Sequence, residues 1–143
     1  QKTMERQKDI VKQVLNYMED NMEKEINVDK IAKSVGYSKF YLNRIFSECT
    51  GITIYKYLQS RRLTIAAEKL VESNEPITQI AYEAGYDSQQ SFSFAFKQLY
   101  LYPPKTYRSM GAFIPKQNRI SLCGNFYNTK YIMFISEIKE MAA

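Results

Sequence analysis

The chain has 143 residues, enough for one domain or two very small ones, and its 45% hydrophobic and 24% charged residues are ordinary for a soluble globular protein. Its formal net charge of +5 favours a polyanionic partner without requiring one. Because the sequence contains no histidine, a histidine general base, a Ser-His-Asp triad and a histidine-built zinc hydrolase are all excluded.

The two cysteines, Cys49 and Cys123, lack the paired spacing of a metal site, so we interpret them as reduced thiols in a reducing cytoplasm. The N-terminus has no signal-peptide pattern, and no apolar run is long enough to cross a bilayer. We therefore expect a cytoplasmic protein with no membrane partner, no metal and no cofactor.

The first part of the chain predicts three helices. Apolar residues recur at helical spacing over residues 9–22, on one side of an otherwise charged segment. Asn27 and Ser38 are of the types that cap helix N-termini, so they predict a second helix from Val28 and a third after Ser38. Gly36, which is free to adopt positive φ, is expected to end the second helix. The residues expected to face inward on the third helix are Leu42, Ile45, Phe46 and Cys49.

The second part predicts a long helix followed by shorter ones. Residues 54–71 are rich in good helix formers. Pro76 suits the first position of a fifth helix, which is expected to stop at Gly85. Asp87 or Ser88 is expected to cap a sixth helix. The residues expected to face inward on that sixth helix are Phe92, Ala95, Phe96 and Leu99.

An internal repeat links the two parts. Ile31-Ala32-x-x-x-Gly36-Tyr37 recurs as Ile80-Ala81-x-x-x-Gly85-Tyr86. Three later positions recur with one extra residue in the second turn: Leu42 as Phe92, Phe46 as Phe96, and Tyr57 as Tyr107. The alternative is two unrelated amphipathic hairpins, which would not explain the shared glycines and aromatic residues. We therefore predict an all-α fold of two helix-turn-helix subdomains joined by a long linker helix.

The spacing within each repeat suits DNA recognition. In a helix-turn-helix the second helix lies in the major groove, with its N-terminal residues on base edges. Arginine pairs with guanine, asparagine or glutamine pairs with adenine, and an apolar side chain contacts the thymine methyl group. The predicted outward residues are Phe40, Asn43, Arg44 and Ser47 on the third helix, and Gln89, Gln90, Ser93, Phe94 and Lys97 on the sixth.

The charged residues leave alternatives open. An outward polar residue on a helix is usually only part of a solvated face. We predict that Lys39 and Lys97 meet phosphate, whereas the pair Arg61-Arg62 either touches phosphate or is solvated or salt-bridged. A linker helix of roughly 18 residues covers about 27 Å, against about 34 Å for one turn of DNA, so the two helix-turn-helix units are predicted to enter successive major grooves.

These residues resemble the signature of the AraC/XylS family of transcription regulators. The resemblance covers about residues 8–110, and the segments 72–77 and 88–90 are most similar to the MarA/SoxS/Rob subgroup. The residues that carry it are Ile31-Ala32, Gly36-Tyr37-Ser38, Leu42, Phe46, Thr50-Gly51, Tyr57 and Arg61 in the first half, and Ile80-Ala81, Gly85-Tyr86, Phe92, Phe96-Lys97, Pro104 and Tyr107-Arg108 in the second.

The resemblance implies a monomer that binds an asymmetric site on double-stranded promoter DNA and activates transcription through contact with RNA polymerase. The base-reading positions of the subgroup fall on Phe40, Asn43, Arg44, Gln89, Gln90, Ser93 and Phe94. At three of these positions the chain differs from the subgroup. The subgroup usually has Trp where this chain has Phe40, Gln where it has Asn43, and often Arg where it has Phe94. We accordingly expect a DNA-binding domain over residues 8–110, with a first head at about 8–52, a linker at about 54–71 and a second head at about 75–108.

Leu101 stands where the family usually has glycine. A leucine in the left-handed conformation is strained by roughly 1 kcal/mol or more. We therefore predict that this turn has rearranged to keep Leu101 at negative φ, with its side chain buried near Tyr107.

The composition changes after Ser109. Arg119 to Cys123 alternates in part between polar and apolar, and the run Tyr131 to Ile135 has the composition of a buried β-strand. We expect residues 111–143 to be a C-terminal extension. From about Arg119 onward it is expected to form either the opening strands of a further domain, cut short here, which we favour, or a small hairpin docked on the helices. Members of the resembled subgroup related to Rob carry such a domain, and a small-molecule effector is expected only through it.

Two other classes of function were weighed against a transcription regulator. An enzyme is disfavoured, and no catalytic residues are assigned, because histidine is missing and no acid-base groups converge. A ligand- or protein-interaction module that kept the helical scaffold is the second alternative. The salt dependence of binding distinguishes the two. For a DNA binder the logarithm of the binding constant falls steeply with the logarithm of the salt concentration, and for an apolar interaction module it does not.

Overall fold

A computed structural model of the chain describes residues 2–122. Over that range the chain forms seven helices and no strand, which confirms the predicted all-α fold. None of these helices is long and apolar enough to cross a membrane. The helices are α1 Lys2–Asp20, α2 Val28–Val35, α3 Lys39–Thr50, α4 Ile54–Glu72, α5 Ile77–Glu83, α6 Gln89–Tyr100 and α7 Pro104–Met110.

The ends of α2 and the start of α3 are fixed by the residues that the sequence pointed to. The Asn27 side chain accepts a hydrogen bond from the backbone N–H of Lys30 at 2.9 Å. Ser38 does the same for the N–H of Tyr41 at 3.2 Å. Gly36 closes α2 in the left-handed region at φ 79°. These contacts satisfy backbone groups that a helix end leaves unpaired.

In the second repeat the helix ends differ slightly from expectation. Ser88, rather than Asp87, caps α6 by accepting a hydrogen bond from the N–H of Ser91 at 3.1 Å. Pro76 immediately precedes α5 instead of beginning it, and it makes no side-chain capping bond. Ala84 is the C-cap of that helix, and Gly85 follows it at φ 89°.

Contacts divide the chain into two compact units. The described part of the first comprises residues 2–21, 26–57 and 119–122. Its core is formed by apolar side chains of α1, α2 and α3 with the start of α4, and each fully buried aliphatic or aromatic side chain contributes about 1.5–3 kcal/mol. Fully buried members of this core are Val11, Val14, Met18, Ile31, Ile45, Phe46, Ile54 and Tyr57.

The second unit comprises residues 22–25 and 58–118. Its core joins α4, α5, α6 and α7, and it is rich in aromatic rings. The ring centroids of Phe92 and Phe96 lie 5.6 Å apart, those of Phe96 and Tyr100 lie 4.8 Å apart, and Tyr107 meets both Phe96 and Tyr100 edge-on. These offset and edge-to-face geometries are the ones that aromatic pairs prefer.

The prediction for Leu101 is wrong. Leu101 caps α6 at φ 72°, in the left-handed region, and 72% of its surface is exposed. Its backbone N–H donates to the Lys97 carbonyl at 2.8 Å, just as that of Gly51 donates to the Ser47 carbonyl at the end of α3. The turn has therefore kept the backbone that a glycine favours, and the hydrogen bond that closes the helix holds Leu101 in it.

The segment that follows α7 contains no strand up to residue 122. In the second unit, the backbone N–H of Ile114 donates to the Tyr107 hydroxyl at 3.0 Å, and the N–H of Gln117 donates to the Thr64 hydroxyl at 3.0 Å. In the first unit, Ile120 and Leu122 are buried. The described part of the extension thus packs on the helices, while the predicted strand from Tyr131 to Ile135 lies outside the described residues.

Candidate nucleic-acid interface

The outward face of α3 presents the side chains that the sequence assigned to it. Phe40, in the first turn of the helix, is 79% exposed although it is apolar. Arg44, one turn further along, is also exposed, and Asn43 is half-buried beside it. On the opposite face Leu42 and Phe46 are fully buried. The core therefore fixes which side of α3 is available to a partner.

Each basic residue on this face contacts both an acid and an aromatic ring. The Lys39 ammonium lies 3.6 Å from a carboxylate oxygen of Asp29 and 5.7 Å from the centre of the Phe40 ring. Arg44 likewise contacts the carboxylate of Glu48 and the ring of Tyr41, both on α3. These pairs are exposed, so each contributes only about 0–1 kcal/mol to stability.

The outward face of α6 carries amides and an aromatic ring in place of cations at its N-terminal end. Gln89 and Gln90 are exposed in the first turn, and Ser93 is half-buried. Phe94 is 70% exposed. Lys97, which is also exposed, lies one turn beyond Ser93.

Helices α3 and α6 have matching length and register. Both have 12 residues, begin after a serine cap, and are closed by a left-handed residue. Counting from their caps, Phe94 occupies the position of Arg44, and Gln90 occupies that of Phe40. The two outward faces therefore offer different chemistry at equivalent positions, a cation on one and an aromatic ring on the other.

The side chains of Arg61 and Arg62 both make hydrogen bonds to backbone carbonyls within the second unit. The Arg62 guanidinium donates to the backbone carbonyls of Met22 and Lys24, and the Arg61 guanidinium donates to that of Gln117. Burial is the main influence on Arg62 and lowers the pKa of its guanidinium. Each arginine satisfies loop carbonyls, so both serve the packing of the second unit.

Two further basic side chains have structural roles that sequence reasoning missed. The Lys69 ammonium lies 2.8 Å from a carboxylate oxygen of Glu23 and 2.7 Å from one of Glu83. Arg108 donates to the carbonyl of Leu70 in the last turn of α4 and to that of Glu75 in the loop between α4 and α5. The sequence places Arg108 in the family signature. Its hydrogen-bond partners are more than 30 residues away in the chain, so no pattern near Arg108 predicts them.

The acidic residues and the cysteine of the described part of the chain are candidates for metal binding and for nucleophilic chemistry. Within residues 2–122 no three Cys, Asp or Glu side chains are grouped so that they could hold a metal ion. Cys49 is buried, and burial raises the pKa of its thiol to about 11. Because the thiolate is the reactive form, this cysteine is an inert core residue at neutral pH.

Comparison with known proteins agrees with this geometry. The family described as "Helix-turn-helix domain" matches residues 31–110. The "Multiple antibiotic resistance protein MarA" of Escherichia coli is 41% identical over 95 residues, covering 66% of this chain and 75% of that protein. The "Regulatory protein SoxS" of Escherichia coli is 38% identical over 99 residues, covering 69% of this chain and 92% of that protein.

A solved structure has the same fold. It is a transcriptional regulator from Chromobacterium violaceum, described as of the AraC-type DNA-binding-domain-containing proteins. Its TM-score is 0.68 at 28% sequence identity, and the match covers 73% of this chain and 94% of that one.

The two helix-turn-helix units, together with the family match and these relatives, define the class of the molecule as a DNA-binding transcription regulator. Within that class, the identity to MarA and SoxS over both units is decisive. The chain belongs to the AraC/XylS family, near MarA and SoxS.

Proposed function

We propose that the protein is a transcription activator that binds promoter DNA as a monomer, with α3 and α6 in successive major grooves. The observation that carries this proposal is the matched outward face of the two helices. Each places an exposed aromatic ring among polar side chains on the side opposite its buried core. An aromatic ring in that position offers an apolar surface that can contact the methyl group of thymine, while the polar side chains around it can bond to base edges.

In the first head, Arg44 is proposed to donate two hydrogen bonds to guanine and Asn43 to pair with adenine. Phe40 contacts a thymine methyl group, because its ring is exposed and has no hydrogen-bonding atom. Lys39, next to the serine cap, meets a phosphate, which adds affinity on any sequence.

In the second head, Gln89 and Gln90 are proposed to read base edges from the first turn of α6, with Ser93 beside them. Phe94 supplies an apolar contact where Arg44 supplies a cation in the first head. Lys97 meets a phosphate. This division makes the two half-sites different in sequence, so the whole site is asymmetric.

We propose the same division of the chain into domains that the sequence predicts. Residues 8–110 form the DNA-binding domain, with α4 as its linker, and residues 111–143 form a C-terminal extension. A small-molecule effector would act only through a further domain that this extension begins. The protein works in the cytoplasm, has no enzymatic activity, and activates transcription through contact with RNA polymerase.

Selection of duplexes from a random-sequence pool, followed by affinity measurements, tests the base-reading assignment. Arg44→Ala is expected to weaken binding to the selected duplex by about 1–3 kcal/mol while leaving binding to a scrambled duplex less affected. The matched control is Arg6→Ala, which removes the same charge from an exposed position on α1. Equal losses on both duplexes for Arg44→Ala would refute base reading by this residue.

A further inference from the structure

Arg44 is restrained on two sides by side chains of its own helix. Its Nη1 atom lies 3.5 Å from Oε1 of Glu48, one turn further along α3. The centre of its guanidinium lies 5.3 Å from the ring centre of Tyr41, three residues earlier. The Tyr41 ring is itself held by Tyr37, at a centroid distance of 5.5 Å. The guanidinium of Arg44 is therefore positioned by the Tyr41 ring and by the Glu48 carboxylate.

These contacts leave the base-reading atoms of Arg44 available. A guanidinium has five N–H donors, and a guanine edge needs two of them. The Glu48 contact uses Nη1, so donors on Nη2 and Nε remain for a base. Restricting an arginine that otherwise samples many rotamers reduces the entropy lost on binding, which is the general benefit of preorganisation.

The same carboxylate acts against binding to random DNA. On a sequence without the right base, Arg44 can gain only phosphate contacts, and these are electrostatic and independent of sequence. Glu48 neutralises that cation locally and places a negative charge near the DNA backbone. Glu48 thus lowers the affinity for DNA of random sequence. It lowers the affinity for the correct base less, because there Glu48 also orients the guanidinium of Arg44.

We propose that Glu48 and Tyr41 are positioning residues that set the sequence discrimination of the first head by acting through Arg44. This inference rests on the proposed base-reading role of Arg44. It predicts that the discrimination ratio, defined as affinity for the selected duplex divided by affinity for a scrambled duplex, depends on both neighbours.

The first test is Glu48→Gln in the full chain. Affinity for the scrambled duplex is expected to rise by about two- to fivefold, as for loss of an exposed ion pair with its local charge, and affinity for the selected duplex is expected to rise less. The salt dependence on scrambled DNA is expected to become steeper. The control, Glu68→Gln, makes the same charge change at an exposed position on α4 and should leave the discrimination ratio unchanged.

The second test repeats Glu48→Gln in an Arg44→Ala background. The change in the ratio is expected to disappear there, because the proposed effect needs the guanidinium. A ratio that Glu48→Gln leaves unchanged or raises in the native background would overturn the proposal. So would an equal change of the ratio in both backgrounds.

The ring is tested by a pair of substitutions. Tyr41→Leu is expected to lower the ratio by about two- to fivefold, as for loss of an exposed cation–π contact, while Tyr41→Phe retains the ring and should restore the ratio. Loss of discrimination in both, or in neither, would remove Tyr41 from the proposal. Arg44→Ala keeps the two proposals apart: if it leaves discrimination intact, the base-reading function itself fails, whereas if only the neighbours have no effect, the positioning role alone fails.

Discussion

The guanidinium of Arg62 lies directly against the backbone of Gly85. A β-carbon at residue 85 would be 2.8 Å from Nη1 of Arg62, closer than real contacts of that kind. Arg62 cannot withdraw freely, because its other nitrogens donate to the carbonyls of Met22 and Lys24. The glycine of the second repeat is therefore required both for its backbone conformation and for the space it leaves.

Gly85→Ala is expected to destabilise the protein for both reasons. The left-handed backbone at φ 89° costs an alanine about 1–2 kcal/mol, and displacing the tethered guanidinium adds to that cost. Urea unfolding measures the effect.

The matched control for that substitution is Gly36→Ala, at φ 79° with no atom within 4 Å of the new β-carbon. Gly36→Ala carries only the cost of the left-handed backbone. We therefore expect Gly85→Ala to lower the free energy of unfolding by at least about 1 kcal/mol more than Gly36→Ala does. Equal losses for the two variants would show that Arg62 moves aside at no cost.

Leu101→Gly is expected to stabilise the protein. Removing the side chain relieves a left-handed strain of about 1–2 kcal/mol, and the added freedom of glycine in the unfolded chain takes back about 0.4–1 kcal/mol. Leu101 is 72% exposed, so little packing is lost. The free energy of unfolding should therefore rise by roughly 0.5–1 kcal/mol, and the reverse change at the equivalent position, Gly51→Leu, should lower it. A Leu101→Gly variant that is less stable than the native protein would mean that the exposed leucine packs in solution.

The local features of this fold could be predicted from the sequence, because their causes lie within a few residues. The caps Asn27 and Ser38 and the glycine that ends α2 each act on neighbouring backbone groups. The inward and outward faces of α3 and α6 follow from helical periodicity in the same way.

The parts that sequence reasoning missed depend on groups far apart in the chain. Arg62 binds carbonyls 38 and 40 residues away, and nothing near it distinguishes that role from a phosphate contact. The sequence predicts a negative φ at Leu101 from the strain of that one residue, but the hydrogen bond to the Lys97 carbonyl that closes α6 holds Leu101 in the left-handed conformation. The sequence near a residue indicates which conformation or partner that residue prefers, but contacts with distant parts of the chain can override this local preference.

Cys49 is expected to make stability depend on pH above neutrality. Burial raises the pKa of the folded thiol from 9.0 to about 11, so the unfolded thiol loses its proton first as the pH rises. Stability from the neutral buried thiol is complete below pH 9 and is lost between pH 9 and 11. The loss by pH 10 is about 1 kcal/mol.

Unfolding of the native protein and of Cys49→Ala at pH 7 and pH 10 isolates this effect, since other titrating groups are common to both. The stability advantage of the native protein is expected to shrink by about 1 kcal/mol at pH 10. A constant difference between the two pH values would contradict a buried, neutral thiol.

Lys39→Ala is expected to weaken binding to all DNA sequences alike. Its ammonium lies at the start of α3 beside the serine cap, where we propose a phosphate contact. Losing one phosphate contact lowers the slope of log K against log salt by about one. Titrations of selected and scrambled duplexes over a range of salt concentrations measure this slope. A loss confined to the selected duplex would instead make Lys39 a base-reading residue.

Phe94 occupies in α6 the position that Arg44 has in α3. An exposed ring with no hydrogen-bonding atom favours the methyl group of thymine, so one position of the second half-site should prefer thymine. Phe94→Arg replaces the ring with a guanidinium, and we expect the preference at that position to change to guanine, with a discrimination of about 1–3 kcal/mol.

Affinities for a set of duplexes substituted singly across the second half-site test this reassignment. The control is the position assigned to Arg44 in the first half-site, where the preference should be the same for the native protein and for Phe94→Arg. A native protein that binds all four bases equally well throughout the second half-site would mean that α6 holds only the DNA backbone. In that case the sequence preference of the protein would come from α3 alone.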